Sequence, residues 1–445
     1  MAENDNKTII LGGGLAGLAA AYHSGFPIYE QRNRPGGTAD SISKGGFVFD
    51  FGIHVLHSKD PRFHKLMSEL NVKLVSCQRR AWIYSYGTYT CYPFQVNSSH
   101  LPLLLRMRCV FGFLRRKRNS FARNYEEWMI QNFGKGFVKT FLIPYAEKFW
   151  GVSPKQMTYE WTDARVPQPN TVEVLKGAFV NAPSDLGPNA QFQYPSERGA
   201  GFAGLPQAIA AKIDNIHYGM KVSAIDTEKK MVFFNSGEKA VEYDNLITTL
   251  PLPNLIELLL HVPSEIQEAA DRLSCNSIAI VNIGVDRPNI TDKHWVHFPE
   301  NEISFFRISF PNNFCEGLNP DGSTPIQAEV AYDRKNPPER DELLKKVHND
   351  LIKVGILKQE DKIIFQDVLY RRNAYVIYTH DRKETVNRIH DYLHSLDIYP
   401  CGRYGAWEYL WSDEAILSGK KVGEEVLHKL QAQRESSQLD RECKC

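Results

Sequence analysis

Thr8-Ile9-Ile10-Leu11-Gly12-Gly13-Gly14-Leu15-Ala16-Gly17, continuing through Leu18 to His23 and returning at Pro27-Ile28-Tyr29-Glu30, decides the fold. The apolar run reads as a buried parallel strand, and the Ala-rich stretch after it as a helix. Between them lies G-x-G-x-x-G, in which each glycine has its own job. Gly12 makes the tight turn, Gly14 lets a pyrophosphate approach the backbone, and Gly17 lets the helix pack closely on the strand. Phosphate would sit at the helix N-terminus, beside Leu15 and Ala16, where unpaired N–H groups and the helix dipole favour negative charge. Glu30, followed by Gln31, ends the second strand about twenty residues on, the spacing of a carboxylate that grips ribose hydroxyls. A glycine turn alone is often only structural. Strand, helix, second strand and acid in this order predict a dinucleotide site in an α/β, Rossmann-type domain.

At 445 residues the chain exceeds one ordinary core, so two or three interlocked domains are expected. A hydrophobic content of 42% and a formal charge of +1 are those of a globular protein and argue against nucleic acid as a partner. No apolar run approaches the roughly twenty residues needed to span a bilayer, and residues 1–7 are polar, without a signal-peptide core. Eight cysteines lie scattered, without a C-x-x-C pair or metal-ligand spacing. Free thiols in a cytoplasmic protein, and no metal, are the expectation.

The text after Glu30 narrows the cofactor. Arg34-Pro35-Gly36-Gly37-Thr38 and then Gly45-Gly46-Phe47 through Asp50-Phe51-Gly52-Ile53-His54 resemble the flavoproteins that include the amine oxidases, protoporphyrinogen oxidase, phytoene desaturase and UDP-galactopyranose mutase. The resemblance implies FAD. Gly36, Gly37 and Thr38 would pass its pyrophosphate, Val222 would flank the adenine side, and His54 would contact the isoalloxazine. Gly402, Arg403, Asp413 and Ile416 would serve the ring's O2 and ribityl side. The implied architecture is a discontinuous FAD domain (1–95, 195–265 and 365–430) carrying a mainly helical insert (96–194) and an antiparallel-sheet substrate domain (266–364). Residues 431–445 read as a disordered tail.

Several blocks, in order from residue 8 to about 428, resemble UDP-galactopyranose mutase of the fungal and protozoan kind. Tyr92-Pro93-Phe94-Gln95-Val96-Asn97 matches the segment lining the uridine pocket, and Arg165-Val166-Pro167-Gln168-Pro169-Asn170 one whose arginine holds the substrate diphosphate. Gly187 to Phe192, with Asn189, forms a further block. Trp295 to Glu300, with His297, and Phe305-Phe306-Arg307 match the run carrying a second diphosphate arginine; Tyr375 and Tyr409 fall where the family places tyrosines near that diphosphate. The implied substrate is a UDP-hexose. The implied reaction is a pyranose–furanose isomerisation without net redox, through an adduct of the sugar with N5 of reduced flavin, NAD(P)H being a possible reductant. Galactofuranose made this way serves cell-surface polysaccharides.

The chemistry of the residues agrees. Two arginines can hold a diphosphate through charge-assisted, often bidentate hydrogen bonds, and tyrosines offer phosphate donors and stacking surfaces. Either arginine alone is more simply a surface ion pair, and Tyr92 and Phe94 could be ordinary strand packing. Departures cluster at the sugar and flavin: His297 replaces a tyrosine, Trp411-Ser412-Asp413 an Asn-Gln-Asp-like run, and Glu408 a basic residue. The alternatives are an FAD oxidase or dehydrogenase of the protoporphyrinogen oxidase or desaturase type, and a scaffold holding FAD structurally. Leu101 to Arg118, apolar with a basic end, reads first as part of a helix pair with a solvated cationic end. A peripheral membrane or anionic-partner role is the other reading. The oligomeric state has no signature here.

Overall fold

The strand β1 (Thr8–Leu11) is buried along its whole length and leads through the glycine turn into α1 (Leu15–Ser24) and back to β2 (Ile28–Tyr29). The computed structural model describes residues 7–118, 121–163, 165–183, 185–187 and 189–442. Among these, β1 is central to a five-stranded parallel sheet in the order Ile398–Pro400, Asn245–Thr248, β1, β2, Ile216–His217. Its strands come from both ends and the middle of the described chain, so this sheet is assembled from discontinuous segments.

Leu15 through Ala21 of α1 are all buried, the pattern of a helix covered on every side. The sheet covers one side and the C-terminal helix Ser412–Glu442 the other. That contact admits no bulk: a Cβ on Gly419 would collide with the Ala16 carbonyl, and one on Gly423 would lie 2.8 Å from the Ala20 carbonyl oxygen. α1 stops at Gly25, whose left-handed backbone (φ 75°) turns its N–H onto the Ala21 carbonyl. The expected disordered tail is corrected here. The helix does not end near Leu430 but runs to Glu442, because residues 431–442 hold neither glycine nor proline and are mostly good helix formers. Cys443 and Cys445 lie outside the described residues.

The second layer is a seven-stranded sheet, ordered Ile363–Arg371, Ser277–Val285, Thr324–Tyr332, Arg307–Ser309, Trp295–His297, Ala81–Ser85, Thr88–Cys91. It is antiparallel except where Trp295–His297 runs parallel to Ala81–Ser85. The expected domain limits shift accordingly, since Ala81–Cys91 and Ile363–Arg371 belong to this sheet and not to the cofactor unit. The cause is Ser277–Val285, apolar on both faces and buried at every residue. Such a strand needs a partner along each edge, and Ile363–Arg371 supplies the second. The helical insert contains Leu103–Leu114, Tyr125–Phe137 and Ile143–Trp150, joined around buried Phe113, Phe133, Phe137 and Phe141.

His294, at the edge of this sheet, is 2% exposed. Its Nδ1 accepts the Arg80 N–H (2.9 Å), and its Nε2 donates to the Asn313 carbonyl (3.0 Å). Only the neutral ring can do both, and burial together with nearby Arg80 holds its pKa down to about 4.

Two measurements test this packing. Gly419→Val is expected to destabilise the fold by about 1–3 kcal/mol, read as a lower unfolding midpoint, while exposed Lys421→Ala stays within about 0.5 kcal/mol of the parent. The unfolded chain protonates His294 near pH 6.5 and the folded chain only near pH 4. Its contribution is therefore intact above pH 6.5 and falls by about 3 kcal/mol as the pH drops to 4. Denaturant titrations across that range should show His294→Gln with a correspondingly shallower acid loss.

Candidate functional site

The first turn of α1 begins at Gly14 with no side-chain cap, so its leading N–H groups point out of the helix without a capping acceptor. Gly12, at φ 100°, makes the turn, and a Cβ on Gly17 would strike the Gly12 carbonyl, so helix and strand touch as the spacing predicted. The second glycine pair lies against the first. Gly36 N–H donates to the Gly13 carbonyl (2.8 Å), and a Cβ on Gly37 would be 3.0 Å from the Gly14 Cα. Glu30 is buried; one carboxylate oxygen accepts the Gly13 N–H (2.6 Å), the other the Arg32 N–H (2.9 Å). Arg32 and Arg34 both pair with buried Asp40, which braces the loop between Glu30 and Thr38.

A cavity of about 770 Å³ opens from this cradle and runs without a break under the seven-stranded sheet. Gly12, Gly14, Leu15, Ala16, Glu30, Gln31, Gly37 and Thr38 line one end, with Gly402 and Arg403 alongside. His54, Arg165, Arg307, Tyr375 and Tyr409 line the other, together with Tyr92, Asn189, Trp295 and His297. Gly17 and Gly36 sit behind this wall as supports. Phe94 does not reach the cavity: it is fully buried and stacked on Phe141 at 4.6 Å, which is core packing. Gln95 is likewise buried away from the lining, and Val222 starts a three-stranded sheet off the cavity wall. Ile416 is fully buried in the core beside α1, and Asp413 is off the wall while its neighbour Ser412 is on it.

Arg165 and Arg307 come from segments far apart in the chain and face one space. Arg165 Nη2 donates to the Tyr409 carbonyl (2.8 Å) and to Glu414 (2.6 Å), and its guanidinium lies over the Trp411 ring at 4.5 Å. Arg307 Nη2 holds both oxygens of buried Glu329 (2.9 and 2.7 Å) and meets the Tyr375 hydroxyl at 3.2 Å. Burial works against the Arg307 charge, but Glu329 more than offsets it, and the pKa is raised. Among the described lining residues there are six arginines (32, 165, 307, 371, 372 and 403) and one carboxylate, Glu30. Such a wall attracts anions.

Buried donors without a protein partner sharpen the point. Arg165 Nε, Arg307 Nε, Arg371 Nη2 and Trp161 Nε1 are all buried and unsatisfied, and all four residues line the cavity. Buried polar groups cost free energy unless something accepts from them. An uncapped helix start, two interleaved glycine turns, a ribose-side carboxylate and unpaired arginine donors fit a flavin dinucleotide and a second anionic ligand in one chamber.

Burial sets the histidines. His54 Nδ1 lies 3.0 Å from the Gly52 carbonyl, and burial pushes its pKa down to about 3. His297 is held neutral by burial and nearby arginines, with the Tyr145 hydroxyl 2.8 Å from its Nδ1. Sequence reading missed His57, 4.1 Å from Trp411, the adjacent pair Arg371-Arg372, and the carboxylates Glu329 and Glu414 that hold the arginines. Tyr370-Arg371-Arg372-Asn373, just before Tyr375, was the available signal: two adjacent cations beside an expected ligand residue.

The parallel sheet, the double glycine turn and the chamber beside them define a Rossmann-type flavoprotein. The family described as flavin containing amine oxidoreductase matches residues 15–427, and the chain belongs to it. That family implies FAD. Among solved structures, reduced UDP-galactopyranose mutase is 28% identical, aligned over 95% of this chain and 94% of that one, with a TM-score of 0.89. A putative protoporphyrinogen oxidase from Exiguobacterium sp. 255-15 is 17% identical over 96% and 99% of the two chains (TM-score 0.75). Cyclohexylamine oxidase from Brevibacterium oxydans IH-35A is 12% identical over 96% and 100% (TM-score 0.69). The last two share the fold alone. No described helix is long and apolar enough to cross a membrane.

Gly37→Val is expected to empty the cradle, because a β-branched residue at φ 57° is strained and its Cβ would press on Gly14. Flavin absorbance of the purified variant should fall to roughly a tenth of the parent or less, a loss of about 1.4 kcal/mol or more in binding. Gly87→Ala, in an open hairpin turn, should keep its flavin.

Proposed function

We propose that the protein is a flavin-dependent nucleotide-sugar isomerase, acting on a UDP-hexose and interconverting its pyranose and furanose forms without net redox. The observation that carries this reading is the convergence of Arg165 and Arg307 on one chamber, each with a buried Nε that lacks an acceptor. A diphosphate supplies acceptors of the right charge for both. The likeness to UDP-galactopyranose mutase supports galactose as the hexose.

The glycine turns, Glu30, Thr38, Gly402 and Arg403 would hold FAD, and His54 would face its ring. Reduced flavin, when bound, supplies a nucleophilic nitrogen for the sugar's anomeric carbon. The rest is positioning and charge stabilisation by the chain. Arg165 and Arg307 stabilise the diphosphate as it leaves and keep it in place for its return. With Nδ1–H directed at the Gly52 carbonyl, His54 keeps a lone pair on Nε2 and stays neutral at working pH. The Tyr145 hydroxyl, its pKa raised well above the ordinary value by burial, lies 2.8 Å from His297 Nδ1, and in the tautomer where the hydroxyl donates His297 carries its N–H on Nε2. His297 thereby offers a hydrogen-bond donor where the resembled enzymes carry a tyrosine hydroxyl. Six arginines in the lining weigh against the apolar substrate channel an oxidase of the protoporphyrinogen or desaturase type would use.

Dithionite-reduced protein incubated with a panel of UDP-sugars should yield a new isomer by chromatography, with UDP-galactopyranose the best substrate. Arg165→Ala and Arg307→Ala are each expected to lower kcat/KM by about 100-fold while flavin content is unchanged. Normal isomerisation by both variants would remove the diphosphate assignment, and acceptor reduction without isomerisation would establish an oxidase instead.

A further inference from the structure

The helix Leu103–Leu114 turns Cys109, Val110 and Phe113 inward. Its outward face is apolar too. Leu103, Leu104, Met107, Phe111 and Leu114 are all exposed, Leu104 at 86%. At about 100° per residue these five fall within one arc of roughly 100° on the helix surface. Exposed Arg108 and Arg115 lie at one edge of that arc, and exposed Lys117 and Arg118 follow directly. The first sequence reading, a helix pair with a solvated cationic end, accounts for the packing on Tyr125–Phe137 and for the exposed Arg115, Lys117 and Arg118, but not for the exposed leucine and phenylalanine face.

The patch continues onto a neighbour. Arg106 Nη1 donates to the Ala178 carbonyl (3.1 Å), tying this helix to the end of Thr171–Gly177 and the residues after it. There Phe179 and Val180 are exposed at 79% and 47%. Phe121, at 85%, stands beyond the basic run. Contiguous exposed apolar surface of this kind marks an interaction site. The charge around it selects the partner: residues 101–125 contain seven arginines or lysines and no acid.

We propose that this face is a docking surface for the anionic leaflet of a lipid bilayer. The apolar arc of Leu103–Leu114 is immersed at the headgroup boundary, and Arg108, Arg115, Lys117 and Arg118 pair with lipid phosphates. The helix lies in the interface plane and does not span it. Neither the flavin cradle nor the arginine-lined chamber contributes to this surface, so the assignment stands apart from the isomerase reading.

Sedimentation of the full flavoprotein with vesicles tests it. The parent is expected to pellet with phosphatidylcholine vesicles containing about a third phosphatidylglycerol, and to stay in solution with pure phosphatidylcholine. Leu104→Asp/Phe111→Asp should weaken binding at least tenfold. In Arg115→Glu/Lys117→Glu/Arg118→Glu each removed cation should cost about fivefold, with the remaining binding less sensitive to salt. Unchanged flavin absorbance and unfolding midpoint would show that both variants fold. The proposal fails if the parent ignores anionic vesicles, if it binds neutral ones equally, or if the double aspartate variant binds like the parent. It also fails if light scattering finds a parent dimer that Leu104→Asp converts to a monomer, since the face would then join two copies of the chain.

Discussion

The closeness of α1 to the C-terminal helix governs the rest of the molecule. Ala16 and Ala20 on one side and Gly419 and Gly423 on the other leave the two backbones touching, with no side chain between them. That contact sets where the open end of α1 points. It also brings in Gly402, whose hypothetical Cβ would lie 2.6 Å from the Ala16 methyl, and whose N–H donates to Ser418 at 3.0 Å. Cys401 N–H in turn bonds the carbonyl of Thr248, the last residue of the strand that flanks β1. The cofactor end of the chamber is thus framed by backbone held against backbone, where little can move without breaking the core.

The arginine-lined end is held by charge. Arg307 and Glu329 are direct cross-strand neighbours, and Glu329 is 1% exposed. A buried ion pair of this kind adds little net stability, because desolvating both groups offsets their attraction. Its effect is directional: with Nη2 committed to the carboxylate, the guanidinium is fixed and its Nε–H is left without a protein acceptor. Arg165 is treated alike by Glu414 and the Tyr409 carbonyl. Trp411 beneath it provides a face on which the planar cation rests. Trp411 and His297 both line the chamber, and Trp411 belongs to this supporting layer as well.

How much of this was legible depended on distance along the chain. The unit β1–α1–β2 and Glu30 could be read because its signals lie within thirty residues and each glycine answers a local steric demand. Arg165 and Arg307 were found through ordered blocks, since nothing local separates a ligand arginine from a surface one. Glu329 and Glu414 were not found, because a carboxylate becomes an arginine's partner only through sheet register or a helix docked from far away. Phe94 was misplaced for a related reason. Its segment matched a binding block, yet Phe141 on the helical insert claims its ring. The Ala81–Cys91 hairpin falls within the segment 1–95 expected in the FAD domain but joins the seven-stranded sheet, because edge pairing with Trp295–His297 leaves no mark in the hairpin's own residues.

The order of strands in the parallel sheet bears on how the protein is made. β1 is made before the other strands of its sheet, and its partner at Asn245–Thr248 and the next strand at Ile398–Pro400 follow hundreds of residues later. The glycines that close over α1 come later still. Until then the nascent glycine turn is attached to a helix with no second wall, and ordering it gains too little buried surface to offset the loss of chain freedom. Ordering of the glycine turn is therefore expected only once the helix carrying Gly419 and Gly423 has been made.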